Sequence, residues 1–360
     1  MGEYFPSGGS LEGHLLLIIT PTPPPSEYVE RLEVNHPGLK VVHQPQDPWK
    51  DLSVAEDVDW KKVTILLTGR VLPTIKQAPR LQYVQLQSAG ANMILDLPIF
   101  KDTDIVFCSA SGVHGPQISE WVICTFLAAQ HHIPRYLEQQ KDGLWKRDNF
   151  EQVQDSVGLR VGILGYGSIG RQVARVAKAM GMDVVAYTNR PRPTPESRQD
   201  HSYVVPGMGD PEGLLPSKWY SGTDQASRTE FLTSGLDLLV LAVPLTKYTK
   251  DLISGPQLKL LSEKKTFISN IGRGPVLNTD ALIEALENGW IRGAALDVTD
   301  PEPLPQDHPL WHTKNVIITP HVSGSSISYT QRVLAILELN VNKLSEGKDL
   351  LNEVDKKLGY

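Results

Sequence analysis

The residues best suited to chemistry in this chain are Arg273, Glu302 and His321, each just beyond a strand-like apolar run. A guanidinium is planar and permanently charged, which suits it to grip a carboxylate. Histidine is the side chain that exchanges a proton near neutral pH, and a carboxylate on its second ring nitrogen orients it and favours the protonated form. Upstream, Gly165-Tyr166-Gly167-Ser168-Ile169-Gly170 follows the buried-strand pattern Val161-Gly162-Ile163-Leu164. GxGxxG alone is a weak signal, but this context is strand, turn and helix. Gly165 then makes the tight turn, Gly167 offers bare backbone to a pyrophosphate, and Gly170 lets the helix pack closely as it continues through Val173, Val176, Ala177 and Met180. The first motif can hold a dinucleotide, and the three polar residues can act beside it.

The elements that must position these groups read as parallel α/β throughout. Short apolar runs at Leu15 to Thr20, Val63 to Leu67, Leu81 to Leu86 and Ile105 to Cys108 alternate with helical or turn-rich stretches. One such stretch is Ser26 to His36, which Ser26 can cap and Gly38 can stop. A long helix is expected from Pro116, a favoured first helical position, through Trp121, Ile123, Phe126 and Leu127 towards Tyr136. A second series follows at Arg160 to Leu164, Asp183 to Tyr187, Leu236 to Ala242, Thr266 to Asn270, Gly293 to Asp297 and Val316 to Thr319. A last helix places Val333, Leu337, Val341 and Leu344 on one face, able to pack back on the first domain.

The expected architecture is therefore two doubly wound domains. Residues 1–115 with 325–360 would form a flavodoxin-like substrate domain and 116–324 a Rossmann cofactor domain, with the active site in the cleft between them. Strand carboxyl ends line the ligand crevice in such sheets. Ser269 to Gly274, Leu296 to Pro303 and Thr319 to Gly324 can therefore converge there. Singly, each has an ordinary reading: a surface Arg, an acid in a Pro-rich turn, a hydrogen-bonded core His. The stretch Pro191 to Ser234 is long for a connection inside a compact domain and reads more readily as a surface excursion than as a lid.

Where the second strand of the cofactor domain ends, NAD binding calls for an Asp or Glu to receive the ribose 2'-hydroxyl. The chain has Thr188-Asn189-Arg190-Pro191-Arg192 instead. Arg190 and Arg192 could grip a 2'-phosphate by charge-assisted hydrogen bonds, so NADP(H) is preferred, with NAD(H) as the alternative.

Composition narrows the partners. The 360 residues carry 40% apolar content and a net charge of -6, with a pI near 5.9. No basic stripe marks a nucleic-acid surface, so a small molecule is the expected partner. Cys108 and Cys124 sit in apolar runs without CxxC or Cys/His spacing, which predicts buried free thiols, no metal site and a reducing, cytoplasmic compartment. The run Leu15 to Ile19 is too short to span a membrane and lacks the flanks of a secretory leader.

Taken together, the chain resembles the D-isomer-specific 2-hydroxyacid dehydrogenase family over nearly its whole length, most closely its glyoxylate/hydroxypyruvate reductase members. The resemblance rests on the three segments above, on Gln87 to Asn92, Ser111 to His114, Ala242 to Thr246 and Asn352 to Asp355, and most specifically on Leu296 to Pro305. It implies reduction of small 2-keto acids, such as glyoxylate or hydroxypyruvate, to D-2-hydroxy acids. His321 would be the acid, Glu302 its partner, and Arg273 the anchor of the substrate carboxylate. It further implies that Ser88, Ala89, Gly90 and Ala91 bind that carboxylate through backbone N–H groups, with Gly90 giving the needed backbone freedom. Asp297 would take the nicotinamide carboxamide. Val243 and Pro244 would border the adenine, and Asn189, Ile271, Gly272, Ser323 and Gly324 would complete the cofactor site. Relatives are commonly homodimers, and the Trp121 to Leu127 helix with the following arm could supply the surface; Trp145 matches a position that in some relatives reaches the partner's site. A dinucleotide-sensing corepressor, or a dehydrogenase of another D-2-hydroxy acid such as phosphoglycerate, are the competing expectations.

Overall fold

The computed structural model describes residues 10–147, 153–357 and 359. The chain divides into two units, one running to Val113 and taking in Ile327 onwards, the other spanning His114–Ser326.

The first unit carries β1 (Leu15–Thr20), α1 (Ser26–Asn35), β2 (Lys40–Pro45), β3 (Ile65–Thr68), β4 (Tyr83–Leu86), α2 (Pro98–Lys101) and β5 (Val106–Cys108). The five strands pair in the order β2-β1-β3-β4-β5, all parallel, which is the flavodoxin-like order. Strand β2 escapes sequence reading because it is an edge: its residues are exposed or half-buried, and Lys40, His43 and Gln44 interrupt the apolar run. Ser26 is the first residue of α1 rather than its cap; Pro25 precedes the helix and no side chain caps it.

In the second unit, α3 (Gly115–Gln130) and α4 (Ile133–Lys141) precede β6 (Arg160–Leu164), α5 (Ser168–Ala179), β7 (Asp183–Thr188) and the single turn α6 (Pro195–Arg198). There follow β8 (Lys218–Ser221), α7 (Gln225–Leu232), β9 (Leu238–Leu241), α8 (Gly255–Leu260), β10 (Phe267–Asn270), α9 (Thr279–Glu287), β11 (Gly293–Leu296) and β12 (Val316–Ile318). Seven parallel strands run β12-β11-β10-β9-β6-β7-β8. Side chains alternate across a strand, so Leu239 and Leu241 enter one core with Val185, Ile268 and Leu296. Leu238 and Val240 enter the opposite one with Val161, Ile163 and Phe126.

Two expectations are corrected here. The single helix towards Tyr136 is two helices, broken at His132, whose backbone is left-handed (φ 56). Pro134 cannot donate to a continuing helix and instead opens the next one. The stretch Pro191 to Ser234 is more than a surface excursion: it supplies the edge strand β8 and helix α7, and its remainder is tied to α5 through buried Asp210 and Arg171.

Helix α10 (Tyr329–Ser345) belongs to the first unit and buries Val333, Leu337, Val341 and Leu344. The Tyr28 hydroxyl donates to Leu334 O at 2.9 Å, and Arg31 pairs with Glu338 at 2.7 Å. Among the described residues no helix is long and apolar enough to cross a membrane.

Candidate active site

Arg273, Glu302 and His321 follow β10, β11 and β12, three neighbouring parallel strands, so chain direction alone delivers them to one sheet edge. Side-chain geometry then joins two of them. His321 Nδ1 lies 2.6 Å from Glu302 Oε1, and both side chains are close to half exposed. Burial lowers the Arg273 guanidinium below its usual value, opposed by the nearby Glu302 carboxylate.

Each loop has its own fastening. Asn270, at the end of β10, accepts the Gly272 N–H at 3.2 Å and donates to Arg273 O at 3.1 Å, closing the turn from which Arg273 projects. Gly274 allows the Glu302 loop to approach: a Cβ there would stand 1.8 Å from Thr299 O. Asp297 holds the His321 loop. Its Oδ1 accepts the Thr319 hydroxyl at 2.5 Å and the Val322 N–H at 2.8 Å; its Oδ2 accepts the Ser323 N–H at 2.9 Å and the Ser323 hydroxyl. The His321 N–H donates to Asp297 O at 2.9 Å, and His321 itself is left-handed (φ 54). A carboxylate offers about four lone-pair sites, so the buried Asp297 is engaged by its own chain rather than turned outward. Asn270, Gly274 and Thr319 were not singled out from sequence; a Gly after the Arg and an Asn closing its strand were the available signals.

The glycine turn behaves as its spacing predicts. Gly165 has φ +103, and a Cβ on it would stand 2.6 Å from Ala242 O. One on Gly170 would stand 2.4 Å from Gly165 O, while one on Gly167 would meet nothing within 4 Å. The open space above Gly167 lies at the start of α5, which no side chain caps. The residues therefore fit a dinucleotide pyrophosphate. Tyr166, by contrast, is buried. A Cβ on Gly272 would stand 2.8 Å from Val243 O, which brings Ile271-Gly272 against Val243-Pro244. Gln117 donates to Gly324 O at 3.0 Å.

At the end of β7 the two arginines differ. Asn189 and Arg190 are exposed, whereas Arg192 is half-buried with its guanidinium donating to Ser197 O. In the first unit, the Ser88 hydroxyl donates to Gly90 O at 2.7 Å and the Ala110 N–H to Ser88 O at 2.8 Å. Ala91 is buried, and the turn forms without left-handed backbone at Gly90. Cys108 is buried, and burial pushes its thiol up; Cys124 is exposed, contrary to expectation, because it faces outward from α3. Both are free thiols, and no cluster of metal-ligating side chains occurs among the described residues.

A family model for the D-isomer specific 2-hydroxyacid dehydrogenase NAD binding domain matches residues 123–208 and 218–323. The chain belongs to this family. A glyoxylate reductase of Thermococcus gammatolerans is 32% identical over 304 residues, 82% of this chain and 83% of that protein. A D-isomer specific 2-hydroxyacid dehydrogenase family protein from Aeromonas salmonicida superposes with a TM-score of 0.72 at 28% identity, covering 95% of this chain and 99% of the other. The enzyme from Xanthobacter autotrophicus, solved with NADPH and MES, gives 0.71 at 25% identity, covering 99% and 100%. The fold and the chemistry of an NAD(P)-dependent oxidoreductase follow from this membership.

Proposed function

We propose that this enzyme reduces small 2-keto acids, of the size of glyoxylate and hydroxypyruvate, to D-2-hydroxy acids, with NADP(H) preferred over NAD(H). The observation that carries the reading is the 2.6 Å pair of His321 Nδ1 and Glu302 Oε1. With Nδ1 held, Nε2 is the atom left to deliver a proton to a carbonyl oxygen. Glu302 fixes the ring's orientation. Arg273 binds the substrate carboxylate and draws electron density from the adjoining carbonyl. When bound, the dinucleotide supplies the hydride from nicotinamide C4. Gly165 to Gly170 bind its pyrophosphate, and Ile271, Gly272, Val243, Pro244, Ser323 and Gly324 border the rest. The Ser88 to Ala91 turn of the first unit carries backbone N–H groups of the kind that bind a carboxylate. We assign Asp297 to holding the His321 loop, because its oxygens already have partners there.

The coenzyme preference is supported by the exposed Arg190 and the lack of an acid in Thr188 to Arg192; the substrate class is supported by the glyoxylate reductase relative. A homodimer belongs to the same proposal, but its surface moves. Val122 and Phe126 pack in the unit's own core, with Trp121 and Leu127 against it, whereas Ile133, Tyr136, Leu137, Leu144 and Trp145 are exposed, Trp145 at 98%. A reducing, cytoplasmic setting suits the two free cysteines.

The test is a comparison of kcat/KM for glyoxylate, hydroxypyruvate and bulkier 2-keto acids with NADPH and NADH. Turnover of the small acids with an NADPH preference is expected. Equal use of NADH would remove the coenzyme assignment, and no turnover of any 2-keto acid would remove the substrate class.

A further inference from the structure

Behind the glycine turn lies a buried polar network that the proposed chemistry does not use. Tyr166, inside the GxGxxG motif, donates its hydroxyl to Asp210 Oδ2 at 2.8 Å. Leu214 N–H and Leu215 N–H donate to the same carboxylate at 3.0 and 3.2 Å. Arg171, next after Gly170 and only 4% exposed, donates to Asp210 O and, at 2.7 Å, to Arg198 O. Its Nε lies 3.3 Å from Asp200 Oδ2, and its guanidinium carbon 5.1 Å from the Tyr166 ring centroid. Gln172 accepts the Gly209 N–H at 2.6 Å. The network continues outward: Arg198 Nε donates to Arg192 O at 2.9 Å, and Arg192 donates to Ser197 O. The segment from Arg198 to Leu215 thus grips the glycine turn with one end and the loop leaving β7 with the other.

Packing alone does not call for this arrangement. Burying a guanidinium and a carboxylate carries a desolvation cost that apolar side chains avoid, and a satisfied polar network fixes one geometry where an apolar contact allows several. Asp210 also falls in 209–217, between the two stretches that the family model matches. A turn built from three glycines is soft, and whatever is not ordered beforehand must be ordered by the ligand at the expense of affinity.

We propose that Arg198 to Leu215 is a clasp that sets dinucleotide affinity, with Asp210, Arg171 and Tyr166 as positioning residues that hold the glycine turn and the β7 loop ready to bind. The inference rests on the dinucleotide reading of that turn. Because the Arg192 guanidinium is engaged by Ser197 O, Arg190 is left as the direct contact for a 2'-phosphate.

The test uses the full chain with Asp210→Asn and Tyr166→Phe, titrated with NADPH and with NADH, alongside kcat at saturating cofactor and thermal unfolding. Asp210→Asn should raise Kd for both cofactors about tenfold while kcat at saturation stays within twofold. Tyr166→Phe keeps the ring, which meets Trp219 edge-on at 4.9 Å, and deletes only the hydroxyl, so it should shift Kd in the same direction without unfolding the domain. If Asp210→Asn fails to fold, Tyr166→Phe decides. Wild-type binding with Kd unchanged in the folded variants would overturn the clasp alone. No binding of either dinucleotide by the wild type would overturn the reading of the turn, and the clasp with it.

Discussion

Gly274→Ala tests whether the Arg273 and Glu302 loops must touch. A Cβ at position 274 would stand 1.8 Å from Thr299 O, 2.1 Å from Thr299 C and 2.8 Å from Asp300 N. All three are backbone atoms, so no flexible side chain can swing aside. Restoring ordinary contact requires the two segments to part by roughly 1.5 Å. Glu302 follows Thr299 closely and moves with it, which stretches the 2.6 Å bond to His321 Nδ1 and carries the carboxylate away from Arg273. Forcing a methyl into packed backbone costs about 1–3 kcal/mol of stability, and a displacement of about 1 Å among reacting groups costs on the order of 10²-fold in rate. The assay is kcat/KM for 2-keto acid reduction at saturating NADPH, with cofactor Kd and thermal unfolding measured on the same preparation. A fall of about 100-fold in a folded protein that still binds cofactor is expected. Turnover within about threefold of wild type, roughly 0.6 kcal/mol, would refute the claim that this close approach aligns the site.

His321→Gln should lower kcat more than tenfold, about 1.4 kcal/mol or more, while cofactor Kd is retained; unchanged turnover would remove the acid role. Arg273→Ala should raise KM and lower kcat together, because carboxylate binding and carbonyl polarisation are lost at once; a change in KM alone would leave it a binding residue only. Asp297→Asn replaces one acceptor oxygen by a donor facing the Thr319 to Ser323 donors. It should lower kcat about tenfold with little change in cofactor Kd, whereas a raised Kd with normal kcat would return Asp297 to the nicotinamide. Arg190→Ala should shrink the NADPH-over-NADH ratio of kcat/KM about tenfold, and less at high salt because the group is exposed; an unchanged ratio would place the discrimination elsewhere.

The sequence reading reached furthest where a local rule and a distant contact ask for the same thing. Gly165 and Gly170 are written in the motif because the turn and the helix packing both forbid a Cβ there. The inner strands were legible as apolar runs because both faces of each sheet are covered. Strands β2 and β8 were not legible. Each is an edge, β2 half polar and β8 reduced to Lys218-Trp219-Tyr220-Ser221, and an edge strand is recognised by its neighbour rather than by its own pattern. The break at His132 was hidden for a related reason: apolar residues recur on both sides of it, and only Pro134 marks the boundary.

At the candidate site the same division separates the residues proposed to act from the residues that place them. Arg273, Glu302 and His321 are visible because their chemistry is unusual beyond a strand. The groups that fix them are ordinary in type and act through the backbone: Asn270 brackets the Arg273 turn, Gly274 yields space to Thr299, and Asp297 takes the donors of the His321 loop. The Gly274 and Asp297 contacts have no characteristic spacing in sequence, since each joins loops that follow different parallel strands, whereas the Asn270 bonds stay within its own turn. Parallel order makes this economical. Because β10, β11 and β12 lie side by side and point the same way, one short contact per loop suffices to align three side chains, and the sheet supplies the rest of their relative placement.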